Sequence, residues 1–139
     1  QIARIISLRI RKNQANETTT ELAEAISEAL SFLPEKERKD AVKKSCARVF
    51  QALRIDVNSE FEVLDDFLQK LPSVMAPGGR IAILTFHSGE DRMVKKALKE
   101  MQKAGFYSEV ATDVIRPSAQ ECARNPRARS TKMRWAVKA

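Results

Sequence analysis

Glycine, cysteine and histidine are all scarce in this 139-residue chain, and each scarcity removes a class of function. The four glycines stand at 78, 79, 89 and 105, a spacing that allows neither a GxGxxG dinucleotide loop nor a P-loop. Two cysteines, Cys46 and Cys122, are too few for a disulfide framework or a cysteine-based zinc site. His87 is the only histidine, which argues against a His-rich metal site and against chemistry shared between two imidazoles. No run approaches ~18 uncharged apolar residues, so a membrane span is not expected, and no signal-peptide pattern is visible. With 43% hydrophobic and 31% charged residues the chain reads as one folded domain at most, with a modest core. A methionine start is also missing. Gln1 comes first, so the chain reads as a processed product or a piece of something longer.

What is present is positive charge at one end. The formal net charge is +7. From Arg124 onward Arg124, Arg127, Arg129, Lys132, Arg134 and Lys138 meet no acidic residue, which leaves only +1 for the residues before them. Such a distribution suggests a polyanion partner, nucleic acid first, because Lys and Arg displace counterions from phosphates. A solvated basic tail without a partner is the plainer alternative.

The N-terminal half reads as helical. Ile2, Ile5, Ile6 and Ile10 recur at helical spacing, and Asn13 to Asn16 breaks the pattern. Thr18 and Glu21 then form a capping box. The helix it opens buries Leu22, Ile26 and Leu30 and is expected to end at Pro34. From Glu35 the pattern runs through Val42, Cys46, Val49, Phe50, Leu53 and Val57, then through Phe61, Leu64, Leu68 and Leu71, with a break expected at Asn58-Ser59. At Pro77-Gly78-Gly79 the character changes. Arg80 to Phe86 is an almost continuous apolar run, expected to be a strand buried on both faces as in a parallel sheet. A helix follows with Ser88 as N-cap, Glu90 and Asp91 at its positive end, and an inner stripe of Met93, Val94, Ala97, Leu98 and Met101. Gly105 is its expected stop. Residues 106–116 and 131–138 read as strands, joined by a loop with one helical turn at 118–123.

Three clusters offer chemistry. His87, Ser88, Asp91 and Arg92 sit at the carboxyl end of the 80–86 strand, where ligands gather in open α/β sheets. A cap at Ser88, a dipole partner at Asp91 and a satisfied polar residue at His87 would explain three of these side chains without a ligand. Asn125, Arg127, Arg129 and Ser130 form a loop whose two arginines suit phosphates or base stacking, or simply a solvated turn. Arg48, Gln51 and Arg54 share one helix side and face either RNA or solvent, with Val49, Phe50 and Leu53 on the core side.

Four segments taken together, Val49-Phe-Gln-Ala-Leu-Arg-Ile-Asp-Val-Asn58, Pro77-Gly-Gly-Arg80, Phe86-His-Ser-Gly-Glu-Asp-Arg92 and Asn125-Pro-Arg-Ala-Arg-Ser130, resemble the C-terminal part of the RsmH/MraW methyltransferases in order and spacing. The resemblance implies an S-adenosylmethionine-dependent enzyme that methylates cytidine N4 in small-subunit ribosomal RNA. It implies an α/β fold, the C-terminal part of a class I (Rossmann-like) sheet preceded by a helical segment. Residues 1–55 would belong to an inserted RNA-facing domain and 56–139 to the closing part of the catalytic domain. The family's cofactor residues lie in its N-terminal half and have no counterpart here, so no cofactor-binding, metal or confident catalytic residue is assigned. By the same resemblance, His87, Ser88, Asp91 and Arg92 would border the base pocket. Arg127 and Arg129, flanked by Asn125 and Ser130, would hold the RNA backbone, and Gln51 and Arg54 would widen the RNA surface. The implied partner is ribosomal RNA and the implied location the bacterial cytoplasm, or a chloroplast or mitochondrion in a eukaryote. An exposed edge on the 80–86 strand would favour a homodimer. The chain departs from the family pattern at Gly89, where leucine is usual, at Cys46-Ala47, where a Thr-Arg-type pair is usual, and near Trp135-Ala-Val-Lys138. A non-catalytic RNA-binding or assembly module is the alternative reading.

Overall fold

The computed structural model describes every residue except 13, 15 and 16. The break expected at Asn13 to Asn16 therefore lies outside the described residues, apart from Gln14. The chain divides into two compact units, Gln1–Asn58 and Ser59–Ala139.

The first unit holds helices α1 (Ile2–Arg11), α2 (Thr19–Ala29) and α3 (Glu35–Val57). The capping box at α2 is formed. The Glu21 amide donates to Thr18 Oγ1 at 3.2 Å, and the Glu21 carboxylate accepts from the Thr18 and Glu17 amides at 3.0 and 2.8 Å. The bond from the Thr18 amide is the main reason that this carboxyl titrates below its usual range. Leu22, Ala25, Ile26 and Ala29 form the buried stripe of α2, and Arg9 of α1 pairs with Glu28 across from it at 3.1 Å. The helix stops at Ala29, five residues before Pro34. The Ser31 and Leu33 amides turn back onto the carbonyls of Glu28 and Leu30. Pro34 instead precedes α3, where a missing amide leaves no helical bond unmade. No residue of α3 is buried: Val49 and Phe50 are partly covered, but Leu53 and Val57 are exposed, so they are not the core residues that their spacing suggested. The break at Asn58-Ser59 is present. Asn58 closes α3, and Ser59 adopts φ 49 before the next helix starts.

The second unit holds α4 (Glu60–Val74), β1 (Arg80–Thr85), α5 (Ser88–Lys103), β2 (Tyr107–Val110), α6 (Ala119–Arg124), a 3₁₀ turn (Pro126–Ser130) and β3 (Lys132–Lys138). Gly78, at φ 73, makes the turn into β1. The turn is tied to the end of β3, since the Gly78 amide donates to the Lys138 carbonyl and the Lys138 amide to the Gly79 carbonyl. The sheet order is β1-β3-β2, with both outer strands antiparallel to β3 and a β1–β3 register running from Arg80↔Val137 to Thr85↔Lys132.

This corrects the expectation of a doubly covered, parallel-type strand. Residues Ile81 and Ile83 of β1 pack toward the core, while Arg80, Ala82 and Leu84 point the other way and are exposed. The apolar run reported hydrophobicity, and that property does not say how many faces are covered. The 106–116 strand is shorter than expected: it is β2 plus a single bridge between Ile115 and Met133.

The core of this unit is Leu68 of α4, Val94, Ala97 and Leu98 of α5, Tyr107 and Ala136. Each fully buried Leu or Val there contributes about 1.5–3 kcal/mol. Helix α5 ends as the composition of 104–106 requires. The Phe106 amide donates to the Met101 carbonyl and the Gly105 amide to that of Gln102, with Gly105 at φ 82. This is a Schellman cap, which needs a left-handed residue at that position.

Candidate nucleic-acid interface

The antiparallel pairing of β1 with β3 brings two distant sequence clusters to one end of the sheet. Thr85 pairs with Lys132. The chain beyond Thr85 is therefore the 86–92 segment, and the chain before Lys132 is the 125–130 segment.

His87, and not Ser88, caps α5. The Glu90 amide donates to His87 Nδ1 at 3.4 Å, and Glu90 Oε2 accepts from the amides of Phe86 and His87 at 2.9 and 3.3 Å. Ser88 is the first helical residue and is exposed. Ser88 stands one position too late to cap, because the helix already begins at it. With Nδ1 accepting, the ring proton sits on Nε2. That atom lies 3.1 Å from Glu90 Oε1 but is too poorly aligned for a hydrogen bond, and among the described residues it is buried without a partner. The Phe61 ring packs edge-on against the imidazole, with centroids 5.8 Å apart. Gly89 makes room for that contact: a Cβ there would lie 3.0 Å from Phe61 Cζ and 3.1 Å from His87 Nδ1. The glycine that departs from the family pattern is thus matched by the ring beside it.

Glu60, His87 and Glu90 hold one donor atom each within 4.8 Å of one another. The sequence did not point to this grouping, because Glu60 is remote along the chain. As arranged, its imidazole is spent on the cap, and the remaining nitrogen carries the proton in place of a lone pair. A bound cation would have to break the cap of α5.

Asp91 is not available to a ligand either. Arg134 Nε donates to its Oδ1 at 2.7 Å, Arg134 Nη2 to its Oδ2 at 3.3 Å, and Lys132 Nζ to its Oδ2 at 3.5 Å. The Arg134 guanidinium is the principal cause holding the Asp91 carboxyl below its ordinary value, and burial opposes it. Arg134 is itself buried. The sequence counted it as one more charge of a basic tail; only the register of β3 shows that it points inward. Two of the six C-terminal cations are consequently engaged inside the fold.

Two of the arginines that remain outward sit on the 3₁₀ turn. Asn125 Oδ1 accepts from the Arg127 amide at 3.2 Å, and Ala128 is buried as the anchor of the turn. Arg127 and Arg129 flank that anchor and are exposed, as are Asn125, Ser130 and Arg124. Arg92 is exposed on α5. Gln51 and Arg54 belong to the first unit, where Gln51 is partly covered. The structure therefore brings residues 87–92 and 125–130 to one sheet end, where Ser88, Arg92 and the arginine turn are exposed. A groove of about 490 Å³, lined in part by Arg80, Ala82, Glu109, Met133, Trp135 and Val137, runs along the β1–β3 ladder.

Fold and site together define a mixed α/β chain whose sheet end carries an exposed arginine turn. Residues 1–139, the whole chain, match the MraW methylase family, and the chain belongs to that family. It is 63% identical over 139 residues to the ribosomal RNA small subunit methyltransferase H 1 of Lachnoclostridium phytofermentans, covering all of this chain and 38% of that protein. It is 64% identical over 139 residues to the protein of the same name from Agathobacter rectalis, covering 40% of it. A third relative, ribosomal RNA small subunit methyltransferase H 2 of Alkaliphilus metalliredigens, is 56% identical over 138 residues. The chain thus spans about two-fifths of the length of these curated relatives. No helix among the described residues is long and apolar enough to cross a membrane.

Proposed function

We propose that this chain is the RNA-facing, closing part of an S-adenosylmethionine-dependent methyltransferase acting on cytidine N4 of small-subunit ribosomal RNA, in the bacterial cytoplasm. The observation that carries the RNA-facing role is the turn at 125–130. It displays Arg127 and Arg129 outward at the same sheet end as the 86–92 segment. The β1-α5-β2-β3 order, with β3 inserted between the other two strands, supports the reading of the second unit as the end of a class I sheet. The names of the relatives favour this reading over that of a free-standing RNA-binding module.

This reading assigns the methyl donor no residue at the carboxyl end of β1. The two carboxylates at the carboxyl end of β1 are committed, Glu90 to backbone amides and Asp91 to Arg134 and Lys132. Neither is left to hold the ribose hydroxyls of a nucleoside. What the chain supplies is phosphate contact and orientation of the RNA, the part of catalysis that rests on positioning.

The test is RNA affinity as a function of salt. Single-stranded RNA is expected to bind with a steep salt dependence, and Arg127→Ala and Arg129→Ala to lower the log–log slope by about 0.7 each. Calorimetric titration with S-adenosylmethionine is expected to give no heat of binding. Salt-insensitive RNA binding, or saturable donor binding by this chain, would overturn the assignment.

A further inference from the structure

One well-placed cation neutralises a carboxylate, and Asp91 has two. Arg134 alone satisfies both of its oxygens, with Nε on Oδ1 at 2.7 Å and Nη2 on Oδ2 at 3.3 Å, the fork in which a guanidinium meets a carboxylate. Lys132 Nζ reaches the same Oδ2 at 3.5 Å, the longest of the three contacts. The causes that hold the Asp91 carboxyl low follow the same order. The hydrogen bond from Arg134 comes first, burial opposes it, and both contributions of Lys132 come last. Arg134 is also the more deeply covered of the two cations.

The charge on Lys132 is therefore in surplus. Its ammonium carries several N–H donors, and among the described residues its one polar partner is an oxygen that Arg134 already holds. A partly buried charge without a counterion of its own is costly, and an anion from outside the chain relieves that cost. The contacts that create the surplus run between α5 and β3, inside the second unit, so they do not depend on what covers the outer sheet face.

The backbone sets where that anion would meet the chain. Lys132 opens β3 and follows the arginine turn after a single residue, Thr131, whose amide closes the turn on the Ala128 carbonyl at 2.8 Å. The Lys132 carbonyl accepts from Thr85 Oγ1 at 3.3 Å, which ties this position to the end of β1. Arg127, Arg129 and Lys132 are thus successive cations of one short segment, and no acidic residue occurs from Arg124 to the C-terminus.

We propose that Lys132 is a third phosphate ligand, which leaves the closed Asp91–Arg134 pair to join Arg127 and Arg129 in holding the RNA backbone. The proposal rests on the RNA-facing reading above and adds to it a cation that the free chain keeps folded against a carboxylate.

The experiment is a fluorescence-anisotropy titration of the full chain with a short dye-labelled single-stranded RNA, repeated from 50 to 200 mM salt. Lys132→Met is expected to lower the log–log slope by about 0.7, one phosphate contact, so that its disadvantage against wild type shrinks about 2.6-fold over that range. Lys132→Arg keeps the charge and is expected to keep the slope. Lys138→Met removes the same charge at the far end of β3, about 20 Å away at ~3.3 Å per residue, and is expected to leave the slope unchanged. In urea, Lys132→Met is expected to move the midpoint less than Arg134→Met, because the guanidinium fork on Asp91 remains. An unchanged slope for Lys132→Met would overturn the proposal. So would an equal fall for Lys138→Met, which would report net charge alone. A loss in urea as large as that of Arg134→Met would also overturn it, by making Lys132 a structural partner of Asp91. Failure of the wild type to bind RNA at all would remove the RNA-facing reading as well, whereas salt-sensitive binding indifferent to Lys132 would sink this inference alone.

Discussion

Truncating Asp91 to alanine would leave Arg134 and Lys132 without their shared carboxylate. The triad links the first turn of α5 to β3, and its side chains are only 13%, 7% and 17% exposed for Asp91, Arg134 and Lys132. Removing one partner of a buried pair costs about 3–5 kcal/mol, because the partner left behind stays desolvated. Arg134→Met belongs at the lower end of that range, since Lys132 still neutralises the carboxylate. Replacing both by Asp91→Leu with Arg134→Met removes the charges together and is expected to recover most of the loss. Trp135, the only tryptophan, follows Arg134 in β3 and reports unfolding directly. In urea, with a slope of about 1–3 kcal/mol per molar, Asp91→Ala should lower the midpoint by about 1 M or more. The pH dependence gives a second check. The folded carboxyl titrates below its ordinary value of 3.8. Its contribution is therefore fully present above that value and is lost as pH falls through the lower folded value. The gap between wild type and Asp91→Ala should be constant near neutrality and shrink below about pH 4. A gap that persists unchanged to pH 2, or a double variant no more stable than Asp91→Ala, would refute the account of a charge-paired link.

Four further outcomes follow from the same coordinates. Gly105→Ala forces a left-handed alanine at φ 82 with no atom nearby to clash, so a loss of about 1–2 kcal/mol in chemical denaturation is expected from the backbone alone. Tyr107 is 2% exposed, burial raises the pKa of its phenol, and its hydroxyl has no partner among the described residues; Tyr107→Phe should raise the thermal midpoint, and a fall would reveal a partner for that oxygen. Glu90→Ala removes the acceptor for two amides, so hydrogen exchange at Phe86 and His87 should accelerate while the middle of α5 stays protected. The outer edge of β1 is unpaired among the described residues, so the light-scattering mass should rise with concentration toward twice the monomer, and a constant monomer mass would exclude pairing at that edge.

Local signals carried much of the first description. The Thr18–Glu21 box, the break at Asn58-Ser59, the apolar stripe of α5 and the stop at Gly105 each depend on neighbours within four residues, so spacing alone places them. The four motifs in order were enough to point to the family that the whole-chain match shows. Which residue caps α5 depends on where its first turn begins, and that is set one residue earlier than the serine. Ser88 had the usual chemistry, but His87 had the geometry.

Three matters were decided only by the tertiary structure. Whether β1 is covered on one face or two depends on which helices lie against it, and a run of isoleucine and leucine reads the same in either case. Whether Arg134 is a surface charge or a buried partner of Asp91 depends on strand parity in β3, and therefore on a register set by Thr85↔Lys132 across a separation of 47 residues. That same register brings the 86–92 segment and the arginine turn to one sheet end, two features that no spacing along the chain connects. The sequence determined the elements, their order and the sign of the charge, because those properties are local or additive. Which charges face water, which apolar face stays open and which clusters meet are properties of pairing between distant segments, and they exist only once the sheet has formed.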